Sequence, residues 1–222
     1  MIIPKDNKYF QMMVKEIETI KDEEVKKFAL FLLETVPDYF FVVPASSSGK
    51  YHPVTDLGEG GLVRHSIAVK RMLEHLMVVQ GKFLDNMPKY KDYLIVCALF
   101  HDSFKSGTQD DYYENKHTKF LHPVYAANYV MLTAIKFGLD YGDAKFMADA
   151  IISHMGQWNT SKNEKGVLPT PQSPQQQLLH LADYLASRKD ISIETTDPDE
   201  PIDIDIDIDI DDSAITTNEK GE

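Results

Sequence analysis

One cysteine in 222 residues excludes an internal disulfide. Cys97 also sits inside an apolar run, so the simple expectation is a reducing, cytoplasmic setting. No apolar run approaches the roughly 18 residues that suggest a membrane helix, and no membrane is expected as a partner. The opening stretch Met1-Ile2-Ile3-Pro4-Lys5-Asp6 lacks the basic region, apolar core and small-residue cleavage site of a secretory signal. A basic surplus is missing too. The formal net charge is −12, and a broad basic nucleic-acid surface is not expected.

That charge is unevenly placed. Residues 191–222 hold 12 of the 35 acidic residues and one of the 23 basic ones, a net of −11. The first 190 residues carry a net of only −1. The expected division is therefore a near-neutral folded body, 1–190, and an acidic low-complexity tail, 191–222. The tail contains IDIDIDIDIDD at 202–212. An extended strand would space its aspartates about 6.8 Å apart along one face, too far for neighbours to share one ion easily. A disordered appendage is the expectation, ahead of an edge strand or an ion-binding strip.

Strand alternation and internal repeats are also absent from the body, which reads as all-α, a single helical domain. Apolar residues recur at three- and four-residue spacing over Asn7–Ile20 and Asp22–Thr35, and Pro37 closes the second. Gly60-Gly61 opens a long helix through Gln80. Pro88 starts another that ends at His101-Asp102. His122-Pro123 looks like a cap followed by proline at the first helical position, with that helix running to about Phe137. Further helices are expected over Asp143–His154 and from Ser173-Pro174 onward. Gln157–Ser173 is a long polar loop, a place where function often resides.

Polar residues stand out against these apolar helices. The greasy run Tyr93–Phe100 ends in His101 and Asp102 side by side, and burying either group unpartnered is costly. Taken singly, each histidine has an ordinary explanation: His52 and His117 in loops, His75 facing solvent, His180 as a capping or supporting group. Taken together, His65, His101, Asp102, His122, His154 and Asp183 fall in or at the ends of separate apolar helices. Neutral imidazole and ionised carboxylate are the usual ligands of divalent ions such as Mn, Fe and Zn. Six such groups converging in a helical core would need metal to neutralise them.

RHS at 64–66, FHDSFK at 100–105, HP at 122–123, SHMGQW at 153–158 and LADYL at 181–185 resemble the HD superfamily of metal-dependent phosphohydrolases. The ordered signature His…His-Asp…Asp is met by His65, His101-Asp102 and Asp183. His122 and His154 are similar to the extra ligands of the two-metal branch, which includes cyclic-dinucleotide phosphodiesterases and bacterial 3′–5′ exoribonucleases. The upstream stretch VPASSSGKYHPVTDLGEGGLVRHS, 43–66, resembles the exoribonuclease group. The likeness runs from Val43 to Arg188.

The resemblance implies two divalent ions, Mn favoured over Fe, Mg, Ni or Zn. His65, His101, Asp102 and Asp183 would hold the first, with Asp102 bridging to a second completed by His122 and His154. Several two-metal relatives carry paired histidines where this chain has His154-Met155, and a thioether suits hard ions poorly. The implied activity is phosphodiester hydrolysis by activated water, with Asp102 catalytic and Lys105 neutralising phosphate charge. A solvated lysine is the plain alternative for Lys105. Lys50 and His52 would contact a substrate phosphate or merely pack their loop. Arg64 points about 100° away from His65 on the helix and would either face substrate or make a structural salt bridge. Gln157 and Trp158 would form a nucleobase platform, or Trp158 would pack under the long loop. The expected substrate is a short single-stranded nucleic acid, an oligonucleotide or a cyclic nucleotide. Hydrolysis of nucleoside mono- or triphosphates and a non-catalytic nucleotide- or protein-binding module remain the alternatives, and no oligomeric state is implied.

Overall fold

The computed structural model describes residues 5–46 and 49–195. In chain order it places α1 (Lys8–Ile17), α2 (Glu23–Thr35), α3 (Gly61–Gln80), α4 (Pro88–Phe100), α5 (Gln109–Glu114), α6 (His122–Phe137), α7 (Tyr141–Ile152) and α8 (Pro174–Ala186). Single 3₁₀ turns cover Asp38–Phe41, Val54–Asp56 and Gly81–Leu84. Among the described residues there is no strand, and the one β-bridge pairs Thr160 with Val167. The all-α reading holds. The repeat at 202–212 lies outside the described residues.

A helix that is apolar on every side has to be buried on every side, and α4 is that helix. Every residue from Asp92 to Phe100 is buried, and α2, α3, α7 and α8 pack around it. Asp92 tolerates burial because its Oδ2 accepts the backbone N–H groups of Lys21 (3.2 Å) and Asp22 (2.9 Å). Asp22 in turn caps α2 by accepting from Glu24 and Val25. Between α1 and α3, the buried Lys70 Nζ donates to Glu16 Oε2 at 2.9 Å.

The helix boundaries differ from the sequence expectation in instructive places. α1 stops at Ile17 rather than Ile20, because the Thr19 hydroxyl turns back to the Glu16 carbonyl at 2.7 Å. α5 was not expected. It buries no residue, so no apolar period announces it, and a capping box between Thr108 and Asp111 opens it. His122 is the first residue of α6 rather than its cap; that position belongs to Leu121. Beyond α4 the chain turns through 101–107, where the buried Tyr39 hydroxyl donates to the Gly107 carbonyl (2.5 Å) and accepts from Ser106 N–H (3.2 Å). After α8, residues 191–195 run back along α3, and Ile193 packs against the core.

Candidate metal centre

Five helices deliver polar side chains to one interior point. His65 lies on the first turns of α3, and His101 and Asp102 follow α4. His122 begins α6, His154 follows α7, and Asp183 sits on α8. All but Asp183 are essentially inaccessible to water.

Asp102 stands at the middle and presents its two oxygens to different neighbours. Oδ2 faces His101 Nε2 at 3.5 Å and His65 Nε2 at 3.8 Å. Asp183 Oδ1 joins that side, 3.1 Å from His65 Nε2 and 3.7 Å from His101 Nε2. Oδ1 of Asp102 faces the other way, 2.9 Å from His122 Nε2 and 3.5 Å from His154 Nε2. Lys105 Nζ pairs with Asp102 Oδ2 at 2.5 Å, so an ammonium already supplies positive charge there.

Main-chain geometry sets the histidine tautomers. His101 Nδ1 lies 2.8 Å from the Ala98 carbonyl, His122 Nδ1 2.7 Å from that of Lys119, and His154 Nδ1 2.7 Å from that of Ile151. A carbonyl only accepts, so each Nδ1 carries a hydrogen and each Nε2 is turned towards Asp102, offering a lone pair there whenever the ring is neutral. α7 ends at Ile152, which lets His154 fold back onto the Ile151 carbonyl. The ring of His180 supports the same turn, its Nδ1 donating to the His154 carbonyl at 2.7 Å.

These lone pairs decide what the site can hold. His122 Nε2 and His154 Nε2 lie 3.3 Å apart, both turned to a carboxylate oxygen. Burial pushes the His122 pKa down to about 4 against the pull of Asp102, so this ring is neutral near pH 7. Acceptors facing acceptors in a dry interior require a cation among them. Asp102 Oδ1 and His101 Nε2 are buried with no hydrogen-bond partner. Grouped by ligand reach, His65, His101 and Asp102 form one set, and Asp102, His122 and His154 form another. The cluster could bind divalent ions, and its donor set fits them.

The HD-domain family model matches residues 62–188, more than half of the chain. The chain belongs to the HD-domain family. Searches of curated proteins and of solved structures gave no match. Membership of the HD family points to metal-dependent phosphohydrolase activity in general. The match stops close to Arg188, where the resemblance of the motifs also ends, but it starts at 62 and leaves out the stretch from Val43.

Electrostatics differ between the two sides of this HD centre. Burial lowers the His101 pKa, but Asp102 and Asp183 outweigh it and raise it to about 10. Burial also disfavours ionised Asp102, yet Lys105, His101 and His122 hold its carboxyl well below the usual range. Metal-free protein at pH 7.5 therefore carries a proton on His101, and an ion bound there has to displace it. Burial lowers the His65 pKa too, but Asp183 and Asp56 raise it above the usual histidine value. Titrating Mn²⁺ into metal-free protein should therefore release at least one proton per chain on that side, with affinity rising about tenfold per pH unit for each proton displaced. Calorimetry in buffers of different ionisation enthalpy measures this directly. No proton release between pH 6.5 and 8.5 would remove His101 from the ligand set.

The other expected site residues are brought together unevenly. His52 lines the cavity beside the centre, as do Lys105 and Trp158. Lys50 and Gln157 are exposed and outside that lining, and Lys50 Nζ sits 5.0 Å from the Tyr51 ring centre. Arg64 has a structural role, but through main-chain carbonyls rather than a salt bridge: Nε donates to Thr55 at 2.6 Å and an Nη to Leu57 at 3.0 Å. Met155, next to His154, also lines the cavity.

Sequence reasoning missed Asp56. It is buried on the 3₁₀ turn ahead of α3, with Oδ2 3.4 Å from Nδ1 of both His65 and His52. Burial raises its pKa, but the two imidazoles reverse that and hold it at about 2. Asp56 thus sits behind His65 where carbonyls stand behind the other three rings, but at 3.4 Å it forms no hydrogen bond to Nδ1. The available signal was its spacing: nine residues before His65, in a loop that must fold back over α3 to close at Gly60-Gly61.

Proposed function

We propose that this HD protein is a phosphodiesterase that uses a pair of divalent ions, Mn²⁺ favoured, on short single-stranded nucleic acid, oligonucleotides or cyclic nucleotides. The observation that carries the reading is the double facing of Asp102, whose two oxygens address two separate sets of Nε2 atoms. One ion would be held by His65, His101, Asp102 and Asp183, and the other by Asp102, His122 and His154. When bound, such a pair supplies Lewis acidity towards a phosphoryl oxygen and activates water at neutral pH.

The chain's own groups do the rest. Asp102 is anionic and locked, so both halves of the centre keep one register. Lys105 is three residues further along the same turn and only partly buried. With cations held at Asp102, the Lys105 ammonium would be free to meet the phosphate and neutralise charge where it develops. His52 lies at the cavity edge with Nδ1 turned to Asp56, so Nε2 is its group available to substrate. The near-neutral body gives little long-range attraction to polynucleotides, which favours small substrates and chain ends.

A product assay with Mn²⁺ tests the reading on a panel of short RNA and DNA, cyclic dinucleotides, nucleoside mono- and triphosphates, and bis-p-nitrophenyl phosphate. Diester cleavage to nucleoside monophosphates is expected. Cleavage confined to mono- or triphosphates would reject the diesterase while leaving a phosphohydrolase. No turnover on any member would leave a binding module.

A further inference from the structure

Beside the metal centre lies a cavity of about 440 Å³ whose inner end is formed by Asp183 and Lys105 and whose outer walls are largely aromatic. Its remaining lining includes Tyr51, His52, Met155, Trp158, Tyr184 and Arg188. The walls grow from the elements that carry the candidate ligands. Tyr184 follows Asp183 directly, Arg188 lies one helical turn beyond it, and Trp158 is four residues past His154. The slot is therefore held in register with the centre.

The walls are also preassembled. Trp158 and Tyr184 stack with ring centres 5.5 Å apart and planes 17° apart. The Arg188 guanidinium lies 4.4 Å from the Tyr184 ring centre and 5.7 Å from that of Tyr51. Its Nε donates to the Tyr184 carbonyl at 3.1 Å, which fixes the plane. Tyr184 is thus engaged by both neighbours. The aromatic side chains that keep exposed surface for a ligand are Trp158, 46% exposed, and Tyr51, 56% exposed with Lys50 Nζ 5.0 Å and Arg188 5.7 Å from its ring centre. The loop bearing Trp158 is pinned at its base, where Leu168 N–H donates to the Asn159 carbonyl at 2.9 Å and Asn159 Nδ2 donates to the Leu168 carbonyl at 3.1 Å.

Two large aromatic side chains left about half exposed to water make little sense as core packing. They suit a flat ring brought in on a phosphate, because base–aromatic stacking is worth about 1–3 kcal/mol per base and tolerates any base. The volume falls at the small end of ligand sites, roughly 300–1,000 Å³, which limits the slot to about one nucleoside. Resting on the phosphohydrolase reading above, we propose that Trp158 and Tyr51, backed by Tyr184 and Arg188, form a one-nucleoside slot that holds the base next to the reacting phosphate. Selection is for the presence of a base rather than its identity.

Trp158 is the only tryptophan in the chain, so its emission reports the slot without any turnover. Thymidine monophosphate added to Mn²⁺-loaded full-length protein should quench that emission saturably, while ribose phosphate at equal concentration should not. Absent quenching, or equal quenching by both, overturns the slot. The kinetic arm compares a dinucleotide with its analogue lacking one base. In the wild type kcat/KM should favour the intact dinucleotide by about 10–100-fold, mostly through KM. In Trp158→Leu and Tyr51→Leu that ratio should collapse towards one, with circular dichroism confirming the fold. A ratio unchanged in both variants also overturns the slot. Base-dependent quenching without hydrolysis of any panel member would instead retain the slot and reject the enzymatic reading.

Discussion

Replacing Asp102 by Ala should remove bound metal from both halves of the centre at once and lower hydrolysis by about a thousandfold or more. The expected size follows from position. Its two oxygens face four imidazoles, two on each side, and removing even one electrostatic contact in a dry site costs about 10²–10³ in rate. The variant also leaves the Lys105 ammonium and the protonated His101 without their shared partner. Breaking a buried pair in this way costs about 3–5 kcal/mol, so the metal-free variant should melt well below the metal-free wild type. Asp102→Asn separates the effects, since it keeps the shape and removes the charge. Elemental analysis should give about two ions per chain for the wild type and a small fraction of one for both variants. Two retained ions with turnover within tenfold of wild type would rule out a bridging Asp102.

Gly61→Ala should be strongly damaging for a single added methyl group. A Cβ there would stand 2.0 Å from the Asp56 carbonyl oxygen, 2.7 Å from its carbon and 3.1 Å from Pro44 Cα. All three are backbone atoms, so no side chain can swing aside. The same Asp56 carbonyl accepts the Ala45 N–H at 3.1 Å, and the Asp56 carboxylate stands behind His65. The methyl would push the Val54–Asp56 turn off α3 and loosen His65 together with it. Forced overpacking costs about 3 kcal/mol, which for a domain of this size lowers Tm by roughly 6–12 °C. Gly142→Ala provides the control, because nothing lies within 4 Å of a Cβ there. It should be neutral or raise stability by up to about 1 kcal/mol. Equal melting temperatures for the two variants would show that the loop gives way freely.

Much of this architecture is local in origin and so was legible in the chain. Pro88 opening α4, Ser173-Pro174 opening α8 and Gly60-Gly61 at the start of α3 act within a few residues. The all-round apolar run before His101 dictates burial wherever it ends up. The residue types His65, His101-Asp102, His122, His154 and Asp183, in that order, named a metal chemistry without coordinates. Only the tertiary structure decided how those groups face one another. It turned the two oxygens of Asp102 in opposite directions and locked three imidazoles through carbonyls of their own turns. It also carried Asp56 from a loop to the back of His65, and set Tyr51 across from Tyr184 and Arg188. Apart from the imidazole–carbonyl contacts, which are local, those juxtapositions join residues on different elements, where side-chain spacing along one helix carries no information. Whether an exposed tryptophan packs under a loop or walls a cavity depends on what the rest of the chain brings to its face.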